Sequence, residues 1–138
     1  MTLRQVPIAL LALLLLTACD LNVKQRPVSG IYVYGVVSDE ASSHVAGVQV
    51  RIGYRPMDAC STSGFSAPAI TPATDTSGAY GVGIVDAGAA HDVCVKLVAM
   101  APSTGALADD SVLVRDVTLT ESLADSLRVD FVLPPKLQ

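Results

Sequence analysis

Aromatic residues are scarce in this chain: it has no tryptophan, four tyrosines and two phenylalanines among 138 residues. Few flat apolar surfaces are therefore on offer for stacking sugars or bases, which counts against a carbohydrate-binding role. Positive charge is also short, with nine Lys and Arg against 13 Asp and Glu. Nucleic-acid binding needs clustered cations to neutralise phosphates, so that class is excluded. Histidine occurs twice and cysteine three times. The apolar run at the start, Val6 to Leu16, is too short for the roughly twenty residues that cross a bilayer.

What is present begins with that run. Arg4 precedes it, and the small residues Thr17 and Ala18 follow it, the layout of a secretory signal peptide. Residues 1–18 are read as that signal, and 138 less 18 leaves 120 residues, the size of one domain with its own core. Losing Arg4 leaves eight basic residues against 13 acidic, a balance of −5. Leu16-Thr17-Ala18-Cys19 resembles the lipobox of bacterial lipoproteins at all four positions. The resemblance implies diacylglycerol on the Cys19 sulfur, cleavage before Cys19, and attachment to a membrane through the lipid. Several acyl chains at about 0.8 kcal/mol per methylene anchor stably, where one is marginal. Asp20 resembles the retention signal of enterobacterial lipoproteins, which implies the periplasmic side of the inner membrane in a Gram-negative cell envelope, with the outer membrane as the alternative. Residues 19–29 are polar and mixed, and are read as the lipidated cysteine and a tether.

From Gly30 the pattern changes to short β-branched and aromatic runs between Gly, Pro, Asp and Ser, with no 3.6-residue apolar period. The expected fold is all-β. Strands are expected over Ile31 to Val37, Val45 to Tyr54, Asp92 to Met100, Ser111 to Leu119 and Leu127 to Leu133. Another starts at Tyr80, Val82 and Ile84, and an edge strand lies around Phe65 to Ile70. In the second run Val48, Val50 and Ile52 point one way and Gln49 and Arg51 the other. Asp75 can close an Asx-type turn, and Gly78 can take a positive φ. Arg55 to Pro72 holds three prolines and reads as a long loop, unusual enough in length to be functional or pinned down.

Four segments carry a further likeness: Gly35-Val36-Val37-Ser38-Asp39, Ala46-Gly47-Val48-Gln49-Val50, Thr74-Asp75 with Gly78-Ala79-Tyr80, and Val129-Asp130-Phe131-Val132-Leu133. They resemble the carboxypeptidase regulatory-like domains. That resemblance implies a seven-stranded Greek-key β-sandwich of the transthyretin (prealbumin) type over residues 30–134, with 135–138 as a tail. The insertion around Cys60 departs from the family pattern.

With Cys19 assigned to lipid, Cys60 and Cys94 are the thiols left, and an exported domain meets an oxidising compartment. A Cys60–Cys94 disulfide is therefore expected. The two are not in a C-x-x-C arrangement and have no third sulfur ligand, which sets redox and metal chemistry aside. His44 and His91 each sit beside a turn, so a zinc site made from them and a cysteine is not expected. His91-Asp92 lacks a Gly-x-Ser-x-Gly elbow, and adjacent strand residues point to opposite faces. Asp109-Asp110 lacks the spacing of a calcium loop. Some transthyretin-like proteins hydrolyse 5-hydroxyisourate with a Tyr-Arg-Gly-Ser end, whereas this chain ends Leu133-Pro134-Pro135-Lys136-Leu137-Gln138.

The expected function is a membrane-anchored envelope lipoprotein whose sandwich is a structural, accessory or protein-binding module: not an enzyme, with no cofactor, no metal and no catalytic residue, and with an envelope protein as partner. The alternative is a small-ligand or glycan-binding lipoprotein using the Arg55 to Pro72 loop with Phe65. An envelope hydrolase using His91 and a serine stands third.

Overall fold

The computed structural model describes residues 25–60, 65 and 69–137. Cys19, its lipid and the signal segment lie outside the described residues.

Among the described residues eight strands form two sheets. They are β1 Val28–Asp39, β2 Gln49–Pro56, β3 Ala69–Ile70, β4 Ala79–Ala87, β5 His91–Met100, β6 Asp110–Leu119, β7 Ser126–Arg128 and β8 Phe131–Leu133. One sheet runs β4-β1-β7 with β8 also on β1, and the other runs β3-β2-β5-β6. The all-β sandwich expected from the alternating runs is what forms. No described helix is long and apolar enough to cross a membrane.

Alternation explains the core. Val48, Val50 and Ile52 are buried from the second sheet, and Ile31, Val33 and Val37 from the first. Both sheets close on Phe131, Leu133, Leu97 and Leu119, all but fully buried. Gly35 lies where β1 meets the crossing backbone, and a Cβ there would overlap the Val129 carbonyl. The turn before β4 forms as the residues suggest. Asp75 Oδ1 accepts from Ser77 N at 2.8 Å and Ser77 Oγ at 2.6 Å, and Gly78 takes φ 68°.

One element differs from the sequence reading. The last run, expected as one strand over Leu127 to Leu133, is split into β7 and β8. Asp130 between them accepts from Val36 N at 2.9 Å and pairs with Arg128 at 3.1 Å, so its side chain takes up a backbone donor of β1. Of the edge strand expected around Phe65 to Ile70, residues 66–68 lie outside the described residues, and the described residues Ala69–Ile70 form β3. Beyond it threonine hydroxyls continue the ladder: Thr71 Oγ1 accepts from Val50 N at 2.9 Å, and Thr74 Oγ1 accepts from Val48 N at 3.1 Å and donates to Val45 O at 2.7 Å. Buried backbone groups need such partners, and here side chains supply them.

Candidate functional site

Inner-face residues at one end of the sandwich are polar. Ser29 opens β1, Asp86 stands opposite it near the end of β4, and Tyr54 comes from β2 in the facing sheet. Each is two positions along its strand from a buried isoleucine: Ile31, Ile84 and Ile52. Since every second residue shares a face, three polar groups sit above an apolar floor. His91 at the start of β5 completes the set.

The set is bonded internally. Asp86 Oδ2 lies 3.2 Å from His91 Nε2, and Asp86 Oδ1 accepts from Ala87 N at 2.9 Å. His91 Nδ1 is 2.8 Å from Ala89 O. Burial pushes the Tyr54 phenol above its ordinary pKa, helped by its hydrogen bond to Asp86 and by that carboxylate's charge. Tyr54 therefore keeps its proton at neutral pH and is a donor. Ser29 Oγ is buried and has no hydrogen-bond partner among the described residues. An unsatisfied buried hydroxyl costs about 1–3 kcal/mol, and a ligand with a hydrogen-bonding group could relieve it.

The long loop is tied to this end. Cys60 and Cys94 are placed at disulfide distance, with Cα atoms 5.9 Å apart and a separation of 34 positions in sequence. Phe65 packs under two cations, 5.8 Å from Arg55 Cζ and 6.0 Å from Lys96 Nζ. The two histidines are far apart. His44 bridges Ser38 at one end of β1, while His91 holds Asp86 opposite Ser29 at the other. Nine strand residues separate those ends, about 30 Å. His91 and Asp92 point apart as adjacent strand residues should: Asp92 Oδ1 accepts from Thr118 Oγ1 at 2.6 Å. Both His91 ring nitrogens face oxygen atoms of Asp86 and Ala89, so His91 is not turned to a serine among the described residues.

No protein-family model matches the chain, and none of the curated proteins does. Solved structures do resemble it. Chlorocatechol 1,2-dioxygenase from Pseudomonas putida aligns with TM-score 0.53 and 13% identity, over 78% of this chain and 61% of that one. A variant of catechol 1,2-dioxygenase from Acinetobacter radioresistens aligns with TM-score 0.55 and 11% identity, over 86% and 56%. The chain thus spans less than two thirds of each. At such identities the likeness is one of fold and assigns no reaction.

It does correct the expected function. A non-enzymatic structural, accessory or protein-binding module was inferred from a sandwich with no catalytic motif, with ligand-binding and hydrolase lipoproteins behind it. The same kind of sandwich belongs to enzymes, so the fold does not argue for a passive module. Absence of a motif in sequence does not bear on residues such as Ser29, Tyr54, Asp86 and His91, which meet only when four strands are assembled. The dioxygenase likeness also raises a metal. One ion needs ligands within about 2.0–2.6 Å of it; the histidines lie at opposite ends, and no three His, Cys, Asp or Glu side chains gather among the described residues. The described residues do not fit such a centre.

Proposed function

We propose that the chain is an enzyme domain for small hydroxylated aromatic compounds, which it takes at the Ser29–Tyr54–Asp86–His91 end of the sandwich. The observation that carries this reading is the unpartnered, buried Ser29 hydroxyl facing Asp86 over an isoleucine floor. Ring hydroxyls suit a serine, a phenol and a carboxylate gathered beside the buried Ile31, Ile52 and Ile84. Tyr54 donates, Ser29 donates or accepts, and the Asp86 carboxylate can take a proton from a ring hydroxyl, with His91 holding it in place. The compound class comes from the names of the two dioxygenases, and supports the proposal only as a likeness of fold.

Calorimetry and product analysis of the full chain with catechol test it. Binding that falls at least tenfold in Ser29→Ala and Asp86→Asn, together with conversion of the bound compound above the rate in protein-free buffer, is the expected result. Absence of binding overturns the site, and binding with no product overturns the enzyme reading.

The proposal keeps the lipobox at Cys19: lipid there would hold the domain at the outer side of a membrane on the short segment before Val28. Mass spectrometry of the mature N-terminus should find diacylglycerol on Cys19, and retention of Met1 would overturn this part alone.

A further inference from the structure

The ladder between β1 and β4 shows which backbone groups of β4 are spoken for. Val37 N donates to Gly78 O at 2.9 Å, and the register runs unbroken from there to Val28 opposite Ala87. Hydrogen-bonded pairs alternate along antiparallel strands, so Tyr80, Val82, Ile84 and Asp86 turn their N–H and C=O toward β1. The other side of β1 agrees: Gly30, Tyr32 and Tyr34 bond to Thr120, Asp125 and Val129 instead. Ala79, Gly81, Gly83, Val85 and Ala87 therefore turn theirs outward. Both ends of this row are capped, Ala79 N by Ser77 Oγ at 3.2 Å and Ala87 N by Asp86 Oδ1 at 2.9 Å. Among the described residues Gly81, Gly83 and Val85 are left between them with no backbone partner.

Exposed strand edges are normally blunted by charge, proline, bulges or shortness. The other edges here are. Among the described residues β3 has two residues and is followed by threonine caps, and β7 and β8 have three residues each. β6 carries an extra residue opposite Val93 to Val95, with Asp116 at φ 57° beside exposed Arg115. β4 has nine residues in continuous register, no proline, no cation and no bulge. Its one charged side chain, Asp86, belongs to the inner face.

We propose that β4 pairs antiparallel with β4 of a second copy of this chain, about a two-fold axis at Gly83. The strand is close to self-complementary. Gly83 would face itself, Gly81 would face Val85, Val82 would face Ile84, and Tyr80 would face Asp86, so no like charges meet. Three hydrogen-bonded pairs, two of them related by the axis, supply about six backbone bonds. The Tyr32 side chain lies across Gly81 with its hydroxyl against it, and so reaches toward this edge. Tyr32 and Val85, now 49% and 60% exposed, would be covered together. Such a dimer joins two four-stranded sheets into one of eight.

Analytical ultracentrifugation of the full chain across a concentration series tests this, with amide exchange as the residue-level readout. The expected result is a monomer–dimer equilibrium in which the Gly81, Gly83 and Val85 amides become protected as the dimer fills. Gly83→Lys places two cations opposite each other where a side chain has open space. It should raise the dissociation constant about tenfold or more without lowering the melting temperature at concentrations where the unaltered chain is monomeric. Gly83→Pro removes an outward N–H and none that β1 uses, and should act likewise. A chain that stays monomeric, a dimer that ignores Gly83→Lys, or one in which these three amides exchange freely overturns the proposal. Capture of a different protein's strand on a monomeric chain is among the overturning outcomes.

Discussion

Replacing Thr74 by Val keeps the shape of the side chain and removes one hydroxyl. That hydroxyl accepts from Val48 N and donates to Val45 O, and Thr74 is only 5% exposed. Val has no atom for either role, and Val48 is fully buried, so water cannot reach its amide without opening the sheet edge. Leaving a buried backbone group unpaired costs about 1–3 kcal/mol; with Val45 O partly exposed, the two together come to about 2–4 kcal/mol. Among the described residues Thr71 Oγ1 holds one such bond, to Val50 N, so Thr71→Val should cost about half as much, 1–2 kcal/mol. In a domain of this size 1 kcal/mol moves the melting temperature by about 4 °C, which separates the two variants. Urea denaturation followed by circular dichroism measures both. The reasoning is refuted if Thr74→Val loses less than Thr71→Val, or if neither moves the midpoint.

Reducing the Cys60–Cys94 pair should lower stability by about 3–4 kcal/mol on chain-entropy grounds; two thiols titrating in the unreduced, denatured protein beyond any from Cys19 would contradict the bond. Ser29→Ala should leave stability equal or slightly higher, because it removes an unpartnered hydroxyl, while catechol binding falls; a loss of stability would mean that the hydroxyl has a structural partner. Tyr80→Phe deletes the 2.5 Å bond to Val129 O and should cost about 1–2 kcal/mol in the same urea assay. Asp75 is held below the usual carboxylate range by Ser77, and Asp130 by Arg128 with Val36 N. Folding thus favours their ionised forms, so this stability is present above the ordinary value of about 3.9 and lost as pH falls through the lower folded values. Asp75→Asn and Asp130→Asn should each flatten the acid limb of a stability profile, and an unchanged limb would count against both assignments.

Strand positions were legible wherever one face is buried, because the two-residue period is written directly into Val48, Val50 and Ile52. The Asx turn was legible too, since Asp75 and Gly78 act on their own neighbours. What escaped were substitutions of side chain for backbone. Nothing in Thr71 or Thr74 marks it as a stand-in for a strand, and Asp130 reads as one polar residue in a run until Val36 arrives from 94 positions away. The site escaped for the same reason: Tyr54 and Asp86 belong to different sheets, and His91 was weighed beside Asp92, its neighbour in sequence, instead of Asp86, its neighbour in space. Composition marked none of these residues, and their meeting depends on registers that only the folded chain sets.

The parallel pairing of β1 with β7 and β8 bears on when the domain can fold. Its first strand is the centre of a sheet whose other side arrives last: Val37 waits for Phe131, and Ser38 for Val132. A chain emerging from its N-terminal end can form the β3-β2-β5-β6 sheet but must leave β1 half bare until residue 133 is out. Contacts this distant in sequence form slowly. Any passage that keeps the end of β8 from meeting β1 therefore keeps the sandwich open, and the sheet locks only when Phe131 to Leu133 arrive.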